Sequence, residues 1–476
     1  MTSHPDPIFP TSLHNTLRDL LQHPYPHVPN PPGCRKRASV ALVLRIRPTY
    51  NSWPEQDSSP SFLLDDSATT EERLEAFFSQ SWVDNGDPEV LFIKRASRVG
   101  DRWTGHVALP GGKRDPEDAD DREAAIRETS EEVGLDLTTD DFLYVGNLPE
   151  RVVTTSWGSV PYIPPPFQCI SYSNLANQPW ILSLMVLCPF LFLSTRSDSP
   201  TLKLQPTEVA STHWVPLRAL LSPSMRTLEY VDMSQRFAKM GGPLIRLALR
   251  SMVGSMEFSA IELAPTESLQ SNTTPGLISG NNGVPPSLLQ RLKGWCFSNQ
   301  ADSADRNRPL LLWGLTLGIL ADFLDMLPPH NAVQLWKYPT FTSPDLRLIV
   351  SLFTYSLRQR NKLQVKSGAR VNNTAVDSQT AALPVTESSD IKDDRNDVGI
   401  GGLGVGRYYG ASDSSPEGTR YAVGIMLRGY YDRLRIAIQI FTIWRMMLGA
   451  IGLVYAWRIL RQKPGVIELI RRLQFR

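Results

Sequence analysis

LPGGKRDPEDADDREAAIRETSEEVGL, residues 109–135, is the stretch of sequence that decides the fold. A Gly/Pro turn opens it and an acidic loop follows. From about Arg122 to Val133 the sequence predicts a helix, and Gly134 stands just past its last turn, where glycine commonly ends a helix. The segments on either side are apolar and rich in β-branched residues, which is typical of strands. The stretch therefore predicts a glycine turn and a charged helix set between strands.

Three glutamates of this helix, Glu128, Glu131 and Glu132, have i, i+3 and i+4 spacing and so share one face. Carboxylates held together repel one another unless a cation neutralises them, and oxygen ligands suit Mg²⁺ or Mn²⁺. Such ions bind substrate phosphates, which indicates phosphate-ester or anhydride chemistry. Upstream, Gly111 and Gly112 let the backbone approach a metal or a substrate phosphate closely. A solvated acidic helix is the alternative, but the glycine turn and the flanking strands favour the metal site.

The second half of the stretch resembles the Nudix box, written G-x5-E-x7-R-E-U-x-E-E-x-G-U with U apolar. The residues from Arg127 to Leu135, RETSEEVGL, match every fixed position, although Thr129 fills an apolar slot. The first half departs from the pattern. One additional residue separates Gly112 from Arg127, and Asp118 stands near the position of the early glutamate.

The longer first half and the residues before it resemble the coenzyme A diphosphatase branch of that family. LFIKRAS, residues 91–97, is followed by Arg102, Gly105 and LPGG, which together are similar to the branch signature LLTxRS…R…G…FPGG. Leu109 replaces the more usual Phe. RPLLLWGLTLGILADFL, residues 308–324, also resembles the WG-T helix that closes the domain in this branch.

The resemblance implies an α/β fold, the Nudix α/β/α sandwich with a mixed sheet. By position, it implies that Glu128, Glu131 and Glu132 hold the catalytic divalent metals, Mg²⁺ or Mn²⁺. The carbonyl of Gly112 would be a further oxygen ligand. Arg127 would orient the glutamates through charge-assisted hydrogen bonds.

Further site residues lie outside the helix. Glu208, six residues before Trp214, matches a late glutamate that serves some members as a base or metal ligand, whereas a structural role at a strand is the alternative. Arg95, Arg98 and Arg102 are candidates for contacts with substrate phosphates, because the guanidinium fork matches phosphate geometry. Salt bridges on a surface loop are the alternative for these arginines.

The implied reaction is metal-dependent hydrolysis of the diphosphate of coenzyme A or acyl-CoA, which gives 3′,5′-ADP and (acyl-)4′-phosphopantetheine. Two alternatives stay open. The first is a Nudix hydrolase of another nucleoside diphosphate derivative, such as ADP-ribose or a dinucleotide polyphosphate. The second is a catalytically silent Nudix fold that acts as a membrane scaffold. Nucleic acid is not an expected partner, because the formal net charge is +1 and no basic patch with interleaved aromatic residues is present.

The chain of 476 residues is longer than one ordinary domain. The Nudix domain is expected at 37–328, with insertions at 49–88, 161–183 and 263–308. The remaining segments are 1–36, a helix (11–23) and a Pro-rich connector; 329–363, an accessory helix; 364–419, a disordered linker; and 420–476, a membrane-associated helical tail. Within the domain, strands are expected at 38–46, 90–94, 143–145, 185–193 and 213–215, and helices at 70–80, 217–221 and 309–326. Residues 161–183 are interpreted as a lineage insertion or a mistranslated intron.

The C-terminal tail contains IAIQIFTIWRMMLGAIGLVYAW, residues 436–457, which is long enough to cross a bilayer. Arginines flank it at both ends, namely Arg433, Arg435, Arg458 and Arg461. Arg445 lies near its middle, at a cost of about 2.5–3.5 kcal/mol on insertion scales. A helix on the membrane surface, or a soluble docking helix, therefore competes with a spanning one.

The cellular location is expected to be intracellular. The N-terminus lacks the pattern of a secretory signal, and the four cysteines show no CxxC pairing or zinc-like spacing. Relatives of the coenzyme A diphosphatase branch occur in peroxisomes and mitochondria. The apolar tail segment could therefore anchor the protein to either organelle.

Overall fold

The structure, a computed structural model, describes residues 8–30, 34, 36–53, 68–97, 104–154, 184–232, 253–271, 309–328, 330–333, 335–373, 422–427 and 429–462. The chain divides into two compact units. The first comprises Met1–Tyr230, Glu257–Pro339 and Arg360–Arg428, and the second comprises Val231–Met256, Thr340–Gln359 and Gly429–Arg476.

The strands in the described residues are β1 (Arg37–Arg47), β2 (Asp87–Arg95), β3 (Val107–Ala108), β4 (Gly111–Lys113), β5 (Phe142–Asn147), β6 (Arg151–Thr154), β7 (Leu184–Ser194), β8 (Val209–Pro216), β9 (Arg226–Asp232), β10 (Ser255–Glu262), β11 (Glu267–Gln270), β12 (Leu311–Trp313) and β13 (Thr340–Phe341). The helices are α1 (Ile8–Gln22), α2 (Thr70–Phe78), α3 (Ser81–Asp84), α4 (Asp121–Val133), α5 (Leu217–Leu221), α6 (Gly314–Asp325), α7 (Pro344–Asn373), α8 (Ala422–Leu427) and α9 (Tyr430–Gln462). Short 3-10 turns cover Tyr50–Ser52 and Pro223–Met225.

The main sheet of the first unit is mixed and has the order β11-β8-β2-β1-β7-β5. β1 and β7 are parallel at its centre, and the other neighbours along this order pair antiparallel. The short strands β3, β4 and β6 pair with β2, β1 and β7 respectively. The predicted α/β class with a mixed sheet is therefore confirmed.

The central strands β1 and β7 are largely apolar because their side chains are buried on both faces of the sheet. Ala41 and Val43 of β1 belong to a buried cluster that includes Ala125 and Val133 of α4. Leu42, whose side chain points to the opposite face of the sheet, is buried as well. Both faces are thus covered, as expected when helices pack on each side of a sheet with parallel central strands.

The segment 49–88, predicted as a polar surface insertion, contains two helices with buried apolar side chains. The expected helix at 70–80 is present as α2, and a capping box of Thr69 and Glu72 opens it. Leu74, Phe77 and Phe78 are buried with i, i+3 and i+4 spacing. The predicted helix is therefore confirmed, and its buried apolar side chains show that this part of the segment packs against the protein.

The structure also differs from the predicted loop at 263–308 and the predicted helix at 309–326. Within the predicted loop 263–308, Glu267–Gln270 forms β11 on the edge of β8, while 272–308 lie outside the described residues. The predicted helix 309–326 begins only at Gly314, because Leu311–Trp313 forms β12 and pairs with β10. The proposed insertion 161–183 lies outside the described residues.

The predicted linker 364–419 begins later than expected, since α7 continues to Asn373. The rest of that segment lies outside the described residues. The predicted accessory helix at 329–363 corresponds to the first part of α7. In the predicted tail, α9 spans Tyr430–Gln462 and so includes the apolar segment 436–457.

Candidate active site

Helix α4 carries most of the predicted site, and its two ends are fixed by local hydrogen bonds. The side chain of Asp120 accepts a hydrogen bond from the Glu123 amide, which caps the first turn. Gly134 ends the helix in the left-handed conformation with φ +73, and a Cβ there would lie 2.8 Å from Lys203. The glycine stop expected from the sequence is therefore confirmed.

The structure explains why Thr129 can stand at a position where the Nudix box has an apolar residue. This side chain is completely buried on the sheet-facing side of α4. Its hydroxyl donates a 2.7 Å hydrogen bond to the Ala125 carbonyl one turn earlier. Because the hydroxyl is satisfied within the helix, threonine can occupy the position of a buried apolar residue.

Glu132 is the most deeply buried of the three box glutamates, with 1% of its surface exposed. Burial raises its pKa to about 7, against the lowering effects of the Gly111 amide and the charge of Arg95, and nearby Glu128 and Glu208 raise it further. The Gly111 amide donates to Oε2 of Glu132 at 2.9 Å. Gly111 has φ +144, and a Cβ there would lie 2.2 Å from the Ser39 carbonyl oxygen.

Glu128 lies against the backbone of Gly112. A Cβ on Gly112 would come within 2.3 Å of the Glu128 carboxylate, so only glycine leaves room for this side chain. Burial raises the pKa of Glu128, the charge of Arg127 and its hydrogen bond lower it, and the charges of Glu131 and Glu208 raise it. The glycine pair predicted from the sequence therefore lines the buried carboxylate of Glu132 and the partly buried carboxylate of Glu128.

Arg127 joins the glycine turn to the acidic face of α4. Its guanidinium donates to both carboxylate oxygens of Asp118 at 2.9 and 3.1 Å, and to the Lys113 carbonyl at 3.0 Å. It also donates to Glu128 and Glu131 at 3.2 Å each. The hydrogen bonds from Arg127 hold the pKa of Asp118 below its usual range. Arg127 thus contacts two of the three box glutamates, and Asp118 is an anchor that the sequence did not identify as one.

Of the predicted site residues outside α4, Arg95 and Glu208 lie near the glutamates of α4. Arg95 follows an irregularity in the pairing of β2 with β8, and its Nη1 lies 3.9 Å from Oε1 of Glu132. The Glu208 carbonyl accepts a hydrogen bond from the Ala96 amide at 2.7 Å, and the charge of Glu208 acts on the pKa of both Glu128 and Glu132. Arg98 and Arg102 lie outside the described residues.

The donor set fits a divalent cation of the magnesium type. The site contains four carboxylates and the guanidinium groups of Arg95 and Arg127, and Arg127 also pairs with Asp118. The carboxylates are those of Glu128, Glu131, Glu132 and Glu208. The site therefore has an excess of negative charge at partly buried positions, which a cation would neutralise. Because all the donors are oxygen atoms, they suit Mg²⁺ or Mn²⁺.

A second group of carboxylates has no predicted counterpart. Among the described residues, His27, Asp121 and Glu150 each bring one potential metal-ligand atom within 4.8 Å of the others. The buried Arg37 guanidinium donates to Asp121 at 2.7 Å and to Glu150 at 2.8 Å, and Arg114 donates to Asp121 at 3.3 Å. Two guanidinium groups therefore already balance the two carboxylates. We assign this cluster a structural role in joining β1 to α4 and to the segment that precedes β6.

An aromatic pair next to Arg95 also escaped the sequence analysis. The Arg95 amide donates to the His106 carbonyl at 3.0 Å, and the ring of His106 lies 4.9 Å from that of Trp313, centroid to centroid. The ring of Phe258 also contacts Trp313, with the ring centroids 5.6 Å apart. His106 and Trp313 are half-buried. No spacing rule links them, because they are more than 200 residues apart in the chain.

Comparison with known proteins agrees with this geometry. The NUDIX domain family matches residues 81–237. An uncharacterised protein of Schizosaccharomyces pombe is 34% identical over 275 residues, which cover 57% of this chain and 67% of that protein. The mitochondrial coenzyme A diphosphatase NUDT8 of Homo sapiens is 50% identical over 50 residues, or 10% of this chain and 21% of that protein. The peroxisomal coenzyme A diphosphatase NUDT7 of Mus musculus is 50% identical over 46 residues, or 10% and 19%. The chain thus spans about a fifth of the length of these two diphosphatases.

Proposed function

Since the chain belongs to the Nudix family, we propose that it is a pyrophosphohydrolase whose chemistry takes place on the acidic face of α4. This proposal rests on the joint presence of the complete RExxEExG half of the box and of the two glycines that line the carboxylates of Glu128 and Glu132. A silent scaffold would have no use for this arrangement, because burying acidic groups without a cation is destabilising.

The cofactor is proposed to be Mg²⁺ or Mn²⁺, held by Glu128, Glu131, Glu132 and the Gly112 carbonyl. Nudix hydrolases generally use divalent metals. When bound, such an ion supplies Lewis acidity and neutralises the charge that develops on the phosphate oxygens. The exposed position of Glu131, whose side chain is 59% exposed, is compatible with a ligand at the mouth of the site.

The chain's own residues are proposed to orient the substrate and to accept the proton of the attacking water. Arg127 holds Glu128 and Glu131 in place through its hydrogen bonds, with Asp118 fixing the guanidinium. Glu208 is proposed as the proton acceptor, because it is a further carboxylate close enough to Glu128 and Glu132 for its charge to raise the pKa of both. Arg95, next to Glu132, is proposed to bind a substrate phosphate.

The substrate is proposed to be coenzyme A or acyl-CoA, with hydrolysis to 3′,5′-ADP and (acyl-)4′-phosphopantetheine. Support comes from the 91–112 signature and from the short matches to the two coenzyme A diphosphatases. The half-buried pair of His106 and Trp313, beside Arg95, offers an aromatic surface on which an adenine ring can stack. ADP-ribose and dinucleotide polyphosphates carry the same ring and are therefore the competing substrates.

The substrate proposal can be tested with the purified full-length protein in detergent. It would be incubated with coenzyme A, ADP-ribose or diadenosine tetraphosphate at millimolar Mg²⁺ or Mn²⁺, and the products resolved by chromatography. We expect 3′,5′-ADP from coenzyme A, and a several-fold higher KM in Trp313→Ala. Turnover of another substrate alone would retain the hydrolase and reject the coenzyme A assignment.

The protein is further proposed to be attached to a membrane through residues 436–457. In the described chain, one helix segment, Tyr430–Arg458, is long and apolar enough to cross a bilayer. A mitochondrial or peroxisomal membrane is the proposed location, since the two diphosphatases with short matches to this chain are named for those organelles. Fractionation of cells that express the tagged full-length chain tests this location.

A further inference from the structure

In the second unit, α9 pairs with the first turns of α7 through charged side chains. Arg433, near the start of α9, donates to the Phe353 carbonyl at 3.3 Å and to the Ser356 hydroxyl at 3.2 Å. Three turns later, Nε of Arg445 lies 2.7 Å from Oδ2 of Asp345. Because the contacts advance along α9 while they retreat along α7, the two helices are antiparallel.

Exposed apolar side chains are present along the first turns of α7 and on all sides of α9 beyond Thr442. On α9, Ile443, Leu453 and Trp457 are each about two-thirds exposed or more, and every residue from Thr442 to Trp457 except Arg445 is classed as exposed. On α7, the exposed residues Leu348, Leu352 and Tyr355 follow one another at i, i+4 and i+7, so they form one row along the helix. We refer to these two sets together as the apolar two-helix surface.

Several features indicate a lipid bilayer as the occupant of this surface. Residues 436–457 form a helix about 33 Å long, which matches a hydrocarbon core of about 30 Å. Arginines stand at both of its ends, where they can meet lipid phosphates, and Tyr455 and Trp457 lie near one end, as aromatic residues commonly do at the membrane interface. A surface for another protein would not require basic residues at both limits of a bilayer-length segment.

Arg445 is the one charged residue within 436–457, and its pairing resolves the difficulty that it creates. A lone guanidinium in hydrocarbon is strongly disfavoured. Asp345 supplies the opposite charge at 2.7 Å, and the Phe441 ring lies 5.3 Å from the guanidinium carbon. Asp345 is the second residue of α7, whose apolar row begins one turn later.

We infer that α9 and the first turns of α7 enter the lipid bilayer as a pair, in which Asp345 neutralises Arg445 and thereby permits insertion. The inference rests on the membrane attachment proposed above and adds to it a second helix and a specific partner. Because apolar side chains drive the insertion, bilayers of neutral lipid are sufficient to bind the protein. The α7 row lies beside α9 against the acyl chains.

The test is flotation of the full-length protein, reconstituted from detergent, with neutral phosphatidylcholine vesicles. We expect the wild type to float and to resist high salt. Asp345→Asn leaves Arg445 unpaired and should reduce the membrane-bound fraction about tenfold. The double variant Asp345→Asn/Arg445→Leu should float like the wild type. Asp432→Asn, which removes an exposed charge paired with Arg435 at the start of α9, serves as the matched control and should float normally.

Three other results would contradict the inference, and each points to a different explanation. If the wild type remains soluble and associates with itself, the surface is a protein contact and membrane attachment itself fails. If it binds only vesicles that contain anionic lipid, and salt releases it, the arginines hold it by charge alone. If Asp345→Asn floats like the wild type, the ion pair has no role in insertion. Coenzyme A hydrolysis, measured on each sample in detergent, reports on fold and function independently.

Discussion

The amide of Gly111 donates a 2.9 Å hydrogen bond to the carboxylate of Glu132, which is almost fully buried. A glycine is needed at that position, because a Cβ would collide with the Ser39 carbonyl. This hydrogen bond lowers the pKa of Glu132, but burial raises it by more, so that the pKa is about 7. The protein thus keeps an acid where its charge is disfavoured, which is expected if a cation binds there.

Replacement of this acid should stabilise the metal-free protein. In the unfolded chain a glutamate ionises above a pKa of about 4.5, whereas in the folded protein Glu132 retains its proton to about pH 7. The free energy of unfolding therefore falls as the pH rises from about 4.5 to 7, and above that range the full loss is about 3 kcal/mol. We expect Glu132→Gln to raise the free energy of unfolding by that amount at pH 8 in EDTA, as measured by chemical denaturation.

The same pair of proteins provides the control. At pH 4.5 the two should unfold with nearly equal free energies, because the glutamate is then largely protonated in the folded state. With millimolar Mn²⁺ at pH 8 the order should reverse, since ion binding stabilises only the intact site. A Glu132→Gln protein that is less stable than the wild type in EDTA at pH 8 would contradict this account of Glu132.

The close approach of Gly112 to Glu128 predicts a large effect of one methyl group. In Gly112→Ala the added Cβ would lie 2.3 Å from the Glu128 carboxylate and must displace it. Misplacement of a reacting group by about 1 Å can reduce the rate about 100-fold, and we expect a loss of that order in kcat. Gly449→Ala, with open space around the new Cβ, is the control and should retain full activity. Equal activities would show that the position of Glu128 is unimportant.

Arg127 should act by positioning the glutamates rather than by binding substrate. Lysine keeps the charge but cannot reproduce the paired hydrogen bonds to Asp118 together with the contacts to Glu128 and Glu131. We expect Arg127→Lys to lower kcat about 10- to 100-fold with little change in KM. Arg122→Lys, on another side of α4 where Arg122 faces the Tyr144 ring, should leave both constants unchanged. A rise in KM alone would instead indicate that Arg127 binds substrate.

The buried ion pair between Arg151 and Asp322 should matter for stability. Their side chains are 1% exposed, and Asp322 also accepts a hydrogen bond from the Val423 amide of α8 at 2.9 Å. Asp322→Asn removes the carboxylate that pairs with the buried arginine, and breaking a buried ion pair typically costs about 3–5 kcal/mol. Asp198→Asn, at an exposed pair, should cost less than about 1 kcal/mol. Denaturant unfolding of the two variants measures the loss of unfolding free energy in each. Similar losses would contradict a stabilising role for the buried pair.

The elements that could be predicted from the sequence depend on local patterns. α4 was predicted because its glutamates lie at helical spacing and a glycine follows the last turn. The central strands β1 and β7 were predicted because they are continuous apolar runs buried on both faces. The edge strand β11 escaped because all four of its residues are exposed, and its backbone pairing with β8 leaves no apolar pattern.

Contacts between distant residues could not be predicted from one sequence. The three-membered group of Arg37, Asp121 and Glu150 joins positions 84 and 113 residues apart. Asp345 and Arg445 are 100 residues apart, and from the sequence alone Arg445 was only an obstacle to a membrane span. Such pairs depend on how helices and strands pack, and side-chain periodicity carries no information about them.

The central claim is that metal-dependent hydrolysis takes place at Glu128, Glu131 and Glu132 of α4 rather than at the group of His27, Asp121 and Glu150. The most direct measurement is the release of 3′,5′-ADP from coenzyme A with Mn²⁺ by the wild type, Glu132→Gln and His27→Gln. We predict equal turnover by the wild type and His27→Gln, and at least a 100-fold loss in Glu132→Gln. Turnover that survives in Glu132→Gln but is lost in His27→Gln would contradict the claim.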